Sequence, residues 1–222
     1  MLTATWAVHP VLVAAKVPAG ATLDLWKGDA LLSLVGLRAA PASHSGSPAA
    51  TTPFDHVFLC FYVRRQTEGE LRRGCVIVKQ IHPEGSHPAL PPCVPPATIR
   101  IAPTRHDAGV DGCIAYEWRI GEHWNRFSAR RAGVAAPPAD HSPEEFISDR
   151  AWVYARQQDG SVLECRFDRT PFDVAPARDV RLECEIALLF GADYLPILTR
   201  PPLTTFVGTE TLVTLGKPDQ VG

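Results

Sequence analysis

The sequence predicts a mainly β chain: a β-rich α+β fold with a few short helices, its strands closed as a barrel or packed as a double sheet. Three observations carry this. More than ten short apolar runs recur along the chain, several alternating with period two. Turn residues separate them, with 16 Gly and 21 Pro in 222 residues. Helix-start signals are few, and no long 3.6-residue periodicity follows any of them.

Residues 1–9 alternate as a strand, with Leu2, Ala4, Trp6 and Val8 on one side. Pro10 starts a short helix that ends by Val17-Pro18. Residues 21–26, the turn Lys27-Gly28 and residues 29–37 read as a hairpin, and 40–53 as a loop. Strands follow at 54–65 and 74–82, joined by the polar segment 66–73. The run 83–96 carries six prolines and has no regular structure. Three more strands fit 98–106, 113–120 and 123–130. Ser142-Pro143-Glu144-Glu145 is a capping-box helix start. Strands at 151–156 and 161–167 flank an Asp159-Gly160 turn. A helix over 182–190, a helical turn near 193–199 and a terminal hairpin, 203–208 with 211–216, complete the chain. With no internal repeat and no separable linker, residues 1–222 read as one domain.

Composition excludes more than it identifies. Net charge is −2, so no basic field holds nucleic acid or an anionic membrane. No apolar run approaches the ~18 residues that span a bilayer. The first residues have no basic region ahead of an apolar one, so no leader is expected. Six Cys, none in a CxxC, read as reduced thiols in a cytoplasmic protein. Eight scattered His give no HExxH, HxH or zinc spacing, so no metal is expected. No Walker loop, GxGxxG or GxSxG is present, and no cofactor is expected.

Several stretches together resemble the YqjF-like family, bacterial proteins with a domain of unknown function. They are Trp6–Pro10, Val17–Gly20 with Leu23-Asp24, Leu34–Leu37, Phe58–Arg65, Arg73–Lys79, Tyr116–Trp118, Ser142–Ile147, Trp152–Tyr154, Asp159-Gly160 with Leu163-Glu164, Phe190-Gly191 and Arg200–Pro202. The family is grouped with the acetoacetate decarboxylase-like superfamily. The resemblance therefore implies a β-barrel or double-sheet core around an internal cavity, with a small carbonyl or keto-acid-like ligand. One segment departs from it: relatives carry a helical, aromatic-containing stretch where this chain has HPEGSHPALPPCVPP.

Lys79 is the sharpest chemical feature, one of only four lysines, at the end of the apolar run 75–78. On a regular strand Cys75, Ile77, Lys79 and Ile81 share a face. A desolvated amine loses its proton and can form a Schiff base with a ketone. Decarboxylases of the resembled fold work through such a lysine, beside a second one; here the neighbour is Gln80. The alternatives are an ammonium that reaches water or a carboxylate, or a charged lysine that binds ligand. With residues 66–73 as a hairpin connection, Lys79 falls opposite Cys60.

Glu117 and Glu164 are the candidate proton carriers if their faces line a cavity. If those faces meet water, Arg119 and Arg166 are their partners. Tyr116 and Trp118 lie on the opposite face from Glu117, as core or pocket wall. Arg64, with Arg65, Arg72 and Arg73, makes a cationic hairpin end able to hold a carboxylate or phosphate, or simply a solvated tip near Glu68 and Glu70. His123 opens a strand as a candidate base or a solvated imidazole. The expected partner is a small molecule, handled by lysine chemistry or sequestered without catalysis. A homodimer is compatible with either. A protein-docking role for 83–103 is the third alternative.

Overall fold

A computed structural model of the chain describes residues 1–39, 54–85, 93–209 and 213–221. The predicted loop 40–53 lies outside them. Fourteen strands and four short helices are present among the described residues: β1 (Leu2–Val8), α1 (Val11–Ala14), β2 (Thr22–Leu23), β3 (Ala30–Ala39), β4 (Phe54–Gln66), β5 (Leu71–His82), β6 (Ile99–Ile101), β7 (Thr104–Ala108), β8 (Cys113–Ile120), β9 (His123–Arg131), α2 (Pro143–Ser148), β10 (Trp152–Arg156), β11 (Val162–Arg169), β12 (Val174–Glu183), α3 (Ile186–Leu189), α4 (Leu195–Leu198), β13 (Thr204–Gly208) and β14 (Val213–Gln220). The fold is mainly β with few short helices.

The strands follow one path, β14-β11-β10-β5-β4-β3-β1-β13-β12-β9-β8-β7, with β2 added on β4 and β6 on β5. Most pairs are antiparallel. Two are parallel, β5 with β10 and β5 with β6. The β5–β10 approach needs Gly74: a Cβ there would sit 2.4 Å from the Trp152 carbonyl oxygen. Gly36 plays the same part on β3, where a Cβ would meet the Tyr116 ring at 2.4 Å.

Alternation sorts the side chains into two apolar clusters. Val57, Leu59, Phe61 and Val63 of β4 join Leu2, Ala4, Trp6, Tyr116, Trp118, Phe127 and Tyr154. Cys60 and Tyr62, one residue out of phase, join Leu31, Cys75, Ile77, Cys93, Ile147, Cys165 and Phe206. A strand buried on both faces reads as a continuous apolar run, as β4 does.

Several expected elements change. Residues 21–26 do not form a hairpin with 29–37. Trp26 and Asp29 close a tight turn through Lys27 and Gly28, both at positive φ, while β2 pairs with β4. The strand expected at 98–106 breaks at Ala102-Pro103, because proline has no N–H for a continuing ladder. Its halves go to β5 and β8. The helix expected over 182–190 shrinks to α3, since Leu182 and Glu183 pair with Phe127 and Arg126 of β9. The terminal segments make no hairpin: β13 lies between β1 and β12, and β14 pairs with β11. The α2 start is as expected, with Ser142 Oγ accepting from Glu145 N at 3.1 Å. The Glu145 carboxylate accepts from His141 N at 2.6 Å, so the box closes one residue early.

Candidate functional site

The structure does not bring the sequence-predicted residues to one place. Lys79 is displaced by a β-bulge. The register shifts between Leu59 and Cys60, so Lys79 lies opposite Leu59, not Cys60. Cys75 and Ile77 therefore belong to one apolar cluster and Ile81 to the other, and the expected shared face does not exist. Lys79 is half-buried, and its ammonium donates to Ala97 O at 3.0 Å in an exposed hydrogen bond. The amine is thus held by a carbonyl at the surface, outside both apolar clusters.

Glu117 sits between neighbouring strands. Arg105 of β7 and Arg126 of β9 stand directly opposite it, and their guanidiniums hold both carboxylate oxygens. Burial pushes its pKa up, but hydrogen bonds and charge from the two arginines outweigh burial and hold it below the ordinary value. Arg119 is not its partner; Arg119 and Arg105 lie over the Trp124 ring. Glu164, 3% exposed, is held by Arg65 and Arg72 from the β4–β5 hairpin. The expected Arg166 pairs instead with Asp168 at 2.8 Å. Both glutamates are acceptors whose positions are saturated by arginine.

Tyr116 and Trp118 are fully buried in the first cluster. The Trp118 Nε1 donor has no hydrogen-bond partner. His123 is exposed where β9 begins. Arg64 reaches Asp24 at 3.9 Å, and Arg73 reaches Asp24 and Asp149. The four hairpin arginines are thus consumed by carboxylates of this chain.

The region that sequence reading missed lies where α2 meets β10. Asp24 and Arg150 are 4% and 5% exposed and form a buried ion pair through Arg150 Nη1. The guanidinium packs on the Phe146 ring at 4.0 Å and the Tyr62 ring at 5.1 Å. Tyr62 is fixed in turn, donating to Ser33 Oγ at 2.7 Å, with Thr5 beyond. The opposite edge of the guanidinium, Nε and Nη2, is buried and has no partner. That edge has two parallel N–H groups, the fork that takes a carboxylate in bidentate fashion.

Arg150 lines a cleft of about 440 Å³ with Ser148, Phe167, Arg169 and Phe172. Arg169 donates to Ser148 O and lies over the Phe172 ring at 4.8 Å. Burial pushes the Arg169 guanidinium below its ordinary pKa, with nearby Tyr62, Cys75 and Asp149 opposing that shift. The cleft's carboxylates are engaged elsewhere: Glu145 by the His141 amide, Asp149 by Arg73, Asp168 by Arg166. What remains is a cleft in which Arg150 and Arg169 stand beside the rings of Phe167 and Phe172, with those three carboxylates on its rim. Only half of the signal for it was available: Asp24 stands between Leu23 and Leu25, whereas Arg150 follows Asp149 and reads as an ordinary surface pair. Among the described residues no group of three or more His, Cys, Asp or Glu is placed to hold a metal ion.

The model of DUF2071, an uncharacterized conserved protein family, matches residues 1–207. No curated protein matches. Solved structures similar over the whole chain include an acetoacetate decarboxylase-like enzyme from Sphingomonas wittichii RW1, with TM-score 0.65 and 12% identity, covering 100% of this chain and 89% of that one. Acetoacetate decarboxylase from Legionella pneumophila gives TM-score 0.60 and 12% identity, covering 100% and 84%. The enduracididine biosynthesis enzyme MppR complexed with pyruvate gives 0.59 and 11%, covering 99% and 86%. At such identities the likeness is one of fold. No helix among the described residues is long and apolar enough to cross a membrane. The chain belongs to the DUF2071 family, and its fold is that of the acetoacetate decarboxylase-like proteins.

Proposed function

We propose that the chain binds a small carboxylate of the keto-acid class in the Arg150–Arg169 cleft, without a covalent lysine intermediate. One observation carries this reading: the Nε–Nη2 edge of Arg150 is buried without a partner, while Nη1 is committed to Asp24. A buried charged donor left unsatisfied costs at least ~1–3 kcal/mol, so an anionic acceptor at that edge is strongly favoured. Arg169 supplies the second cation, and Phe167 and Phe172 supply an apolar wall for a short alkyl or acyl group. The fold neighbour MppR was solved with pyruvate, which fits a ligand of this size. Lys79, bonded to Ala97, is not among the residues lining this cleft.

Calorimetric titration with pyruvate tests the reading, with acetone as the carbonyl that lacks a carboxylate. Pyruvate is expected to bind with Kd below ~1 mM, equivalent to about −4 kcal/mol. Acetone is expected to give no saturable heat. Arg169→Gln is expected to weaken pyruvate at least tenfold. Equal behaviour of pyruvate and acetone overturns the proposal. Borohydride added with pyruvate is expected to leave Lys79 unmodified; a reduced adduct on Lys79 would return the chemistry to the lysine.

A further inference from the structure

All six cysteines are free thiols, and four of them (Cys60, Cys75, Cys93, Cys165) lie in the second apolar cluster as two contacting pairs. The pairs differ in what their backbones allow. Cys60 and Cys75 are diagonal neighbours in the β4–β5 ladder, because Cys60 opposes Ile77 and Cys75 opposes Tyr62. Diagonal positions are held ~7–8 Å apart, beyond the reach of an unstrained disulfide. Cys93 lies outside any strand, within the proline-rich run 83–96. Its sulfur sits 4.0 Å from Val153 O, and Val153 is the direct cross-strand partner of Cys165. The backbone of Cys93 is held by Gln157 at 2.8 Å rather than by a ladder. One sulfur is thus carried by a sheet strand, and the other by a residue outside the ladder.

We propose that Cys93 and Cys165 form a modification site, closing into a disulfide when the protein meets a hydroperoxide. Cys165 reacts first. Its sulfur attacks one peroxide oxygen; an S–O bond forms, the O–O bond breaks, and the released hydroxide leaves as water with the thiol proton. Cys93 then attacks the sulfenic sulfur. The S–S bond forms, the S–O bond breaks, and a second water leaves with the Cys93 proton. Two thiols and one hydrogen peroxide become one disulfide and two waters. The order follows from the contact itself. The hydrogen bond from Cys93 holds the Cys165 thiol below its ordinary pKa and pushes Cys93 above it. Both residues are at most 1% exposed, so the reaction proceeds through local opening and accelerates in urea below the unfolding range. The product staples residue 93 to β11 and leaves the ladder unbroken.

Hydrogen peroxide treatment of the wild-type protein, followed by quenching, unfolding, alkylation and tryptic mapping, tests this. The expected product links peptides 80–100 and 157–166, lighter than their sum by two hydrogens and separated by dithiothreitol. Cys60 and Cys75 should remain alkylated. Cys93→Ser is expected to abolish the link, and Cys60→Ser to leave it unchanged. A Cys60–Cys75 link overturns the proposal. So does full alkylation of Cys93 and Cys165 once the partly exposed Cys113 and Cys184 have been oxidised.

Discussion

Glu117 and Arg150 are each buried charges facing opposite charge, yet they are completed differently. Glu117 has an arginine on each side in strict cross-strand register, and both oxygens are taken. Those arginines are 57% and 32% exposed, so the triad borders water. Arg150 has one carboxylate on one nitrogen, with rings packed against it and two donors unspent. Asp24 and Arg150 are both nearly sealed from solvent. A saturated cluster bordering water fits a structural role; an unsaturated cation behind a cleft fits a ligand. Charge and burial alone do not distinguish the two regions, whereas the hydrogen-bond tally does.

The largest effect that can break this contrast is on stability at the Arg150 end. Asp24→Asn leaves a buried guanidinium without its anion and is expected to lower the unfolding free energy by ~3–5 kcal/mol, measured by urea denaturation. The same variant should bind pyruvate more tightly than wild type, because the cation is no longer neutralised. A loss below ~1 kcal/mol would mean that water reaches the pair. Glu117→Gln is expected to cost less, ~1–3 kcal/mol, because Arg105 and Arg126 can turn to solvent. Its pyruvate affinity should equal that of wild type; a weakened affinity would join the two regions.

Dependence on pH sharpens the comparison. The Glu117 pKa is lowered in the folded state. Its stabilisation is therefore complete above the unfolded value near 4.5 and is lost as pH falls through the folded value. Glu117→Gln should flatten that acid limb. His56 acts at higher pH. Burial and the neighbouring His82 hold its pKa well below 6.5, and the two rings stack at 3.8 Å. The unfolded chain takes up this proton as pH drops below ~6.5 while the folded one does not. Stability should fall by up to ~1.4 kcal/mol per pH unit there, and His56→Gln should remove the slope. The smallest expected stability effect is that of Arg169→Gln, under ~1 kcal/mol, although it carries the tenfold loss of pyruvate affinity. A large destabilisation would make Arg169 a structural residue.

Most of the strand inventory was legible because alternation and proline placement are local signals. Gly74-Cys75-Val76-Ile77 announces a buried strand, and Ser142-Pro143 announces α2. What was not legible is non-local. The bulge at Leu59–Cys60 reassigns Lys79 to another face, and no residue type marks it. The separate fates of β13 and β14 depend on pairings with β1, β12 and β11 across most of the chain. Glu117 and Glu164 were visible as charges on strands, but their partners came from other strands, the adjacent β7 and β9 for Glu117 and, beyond β10, β5 and β4 for Glu164, rather than from Arg119 and Arg166 on their own. Asp24 and Arg150 are 126 residues apart in sequence, and only packing brings them together.

The most direct test is a crystal structure of the protein soaked with pyruvate. The expected result is a carboxylate with its oxygens ~2.7–2.9 Å from Nε and Nη2 of Arg150, the acyl end against Phe167 or Phe172, and Lys79 still bonded to Ala97. Water alone at that guanidinium edge, or pyruvate joined to Lys79, contradicts the assignment of the cleft.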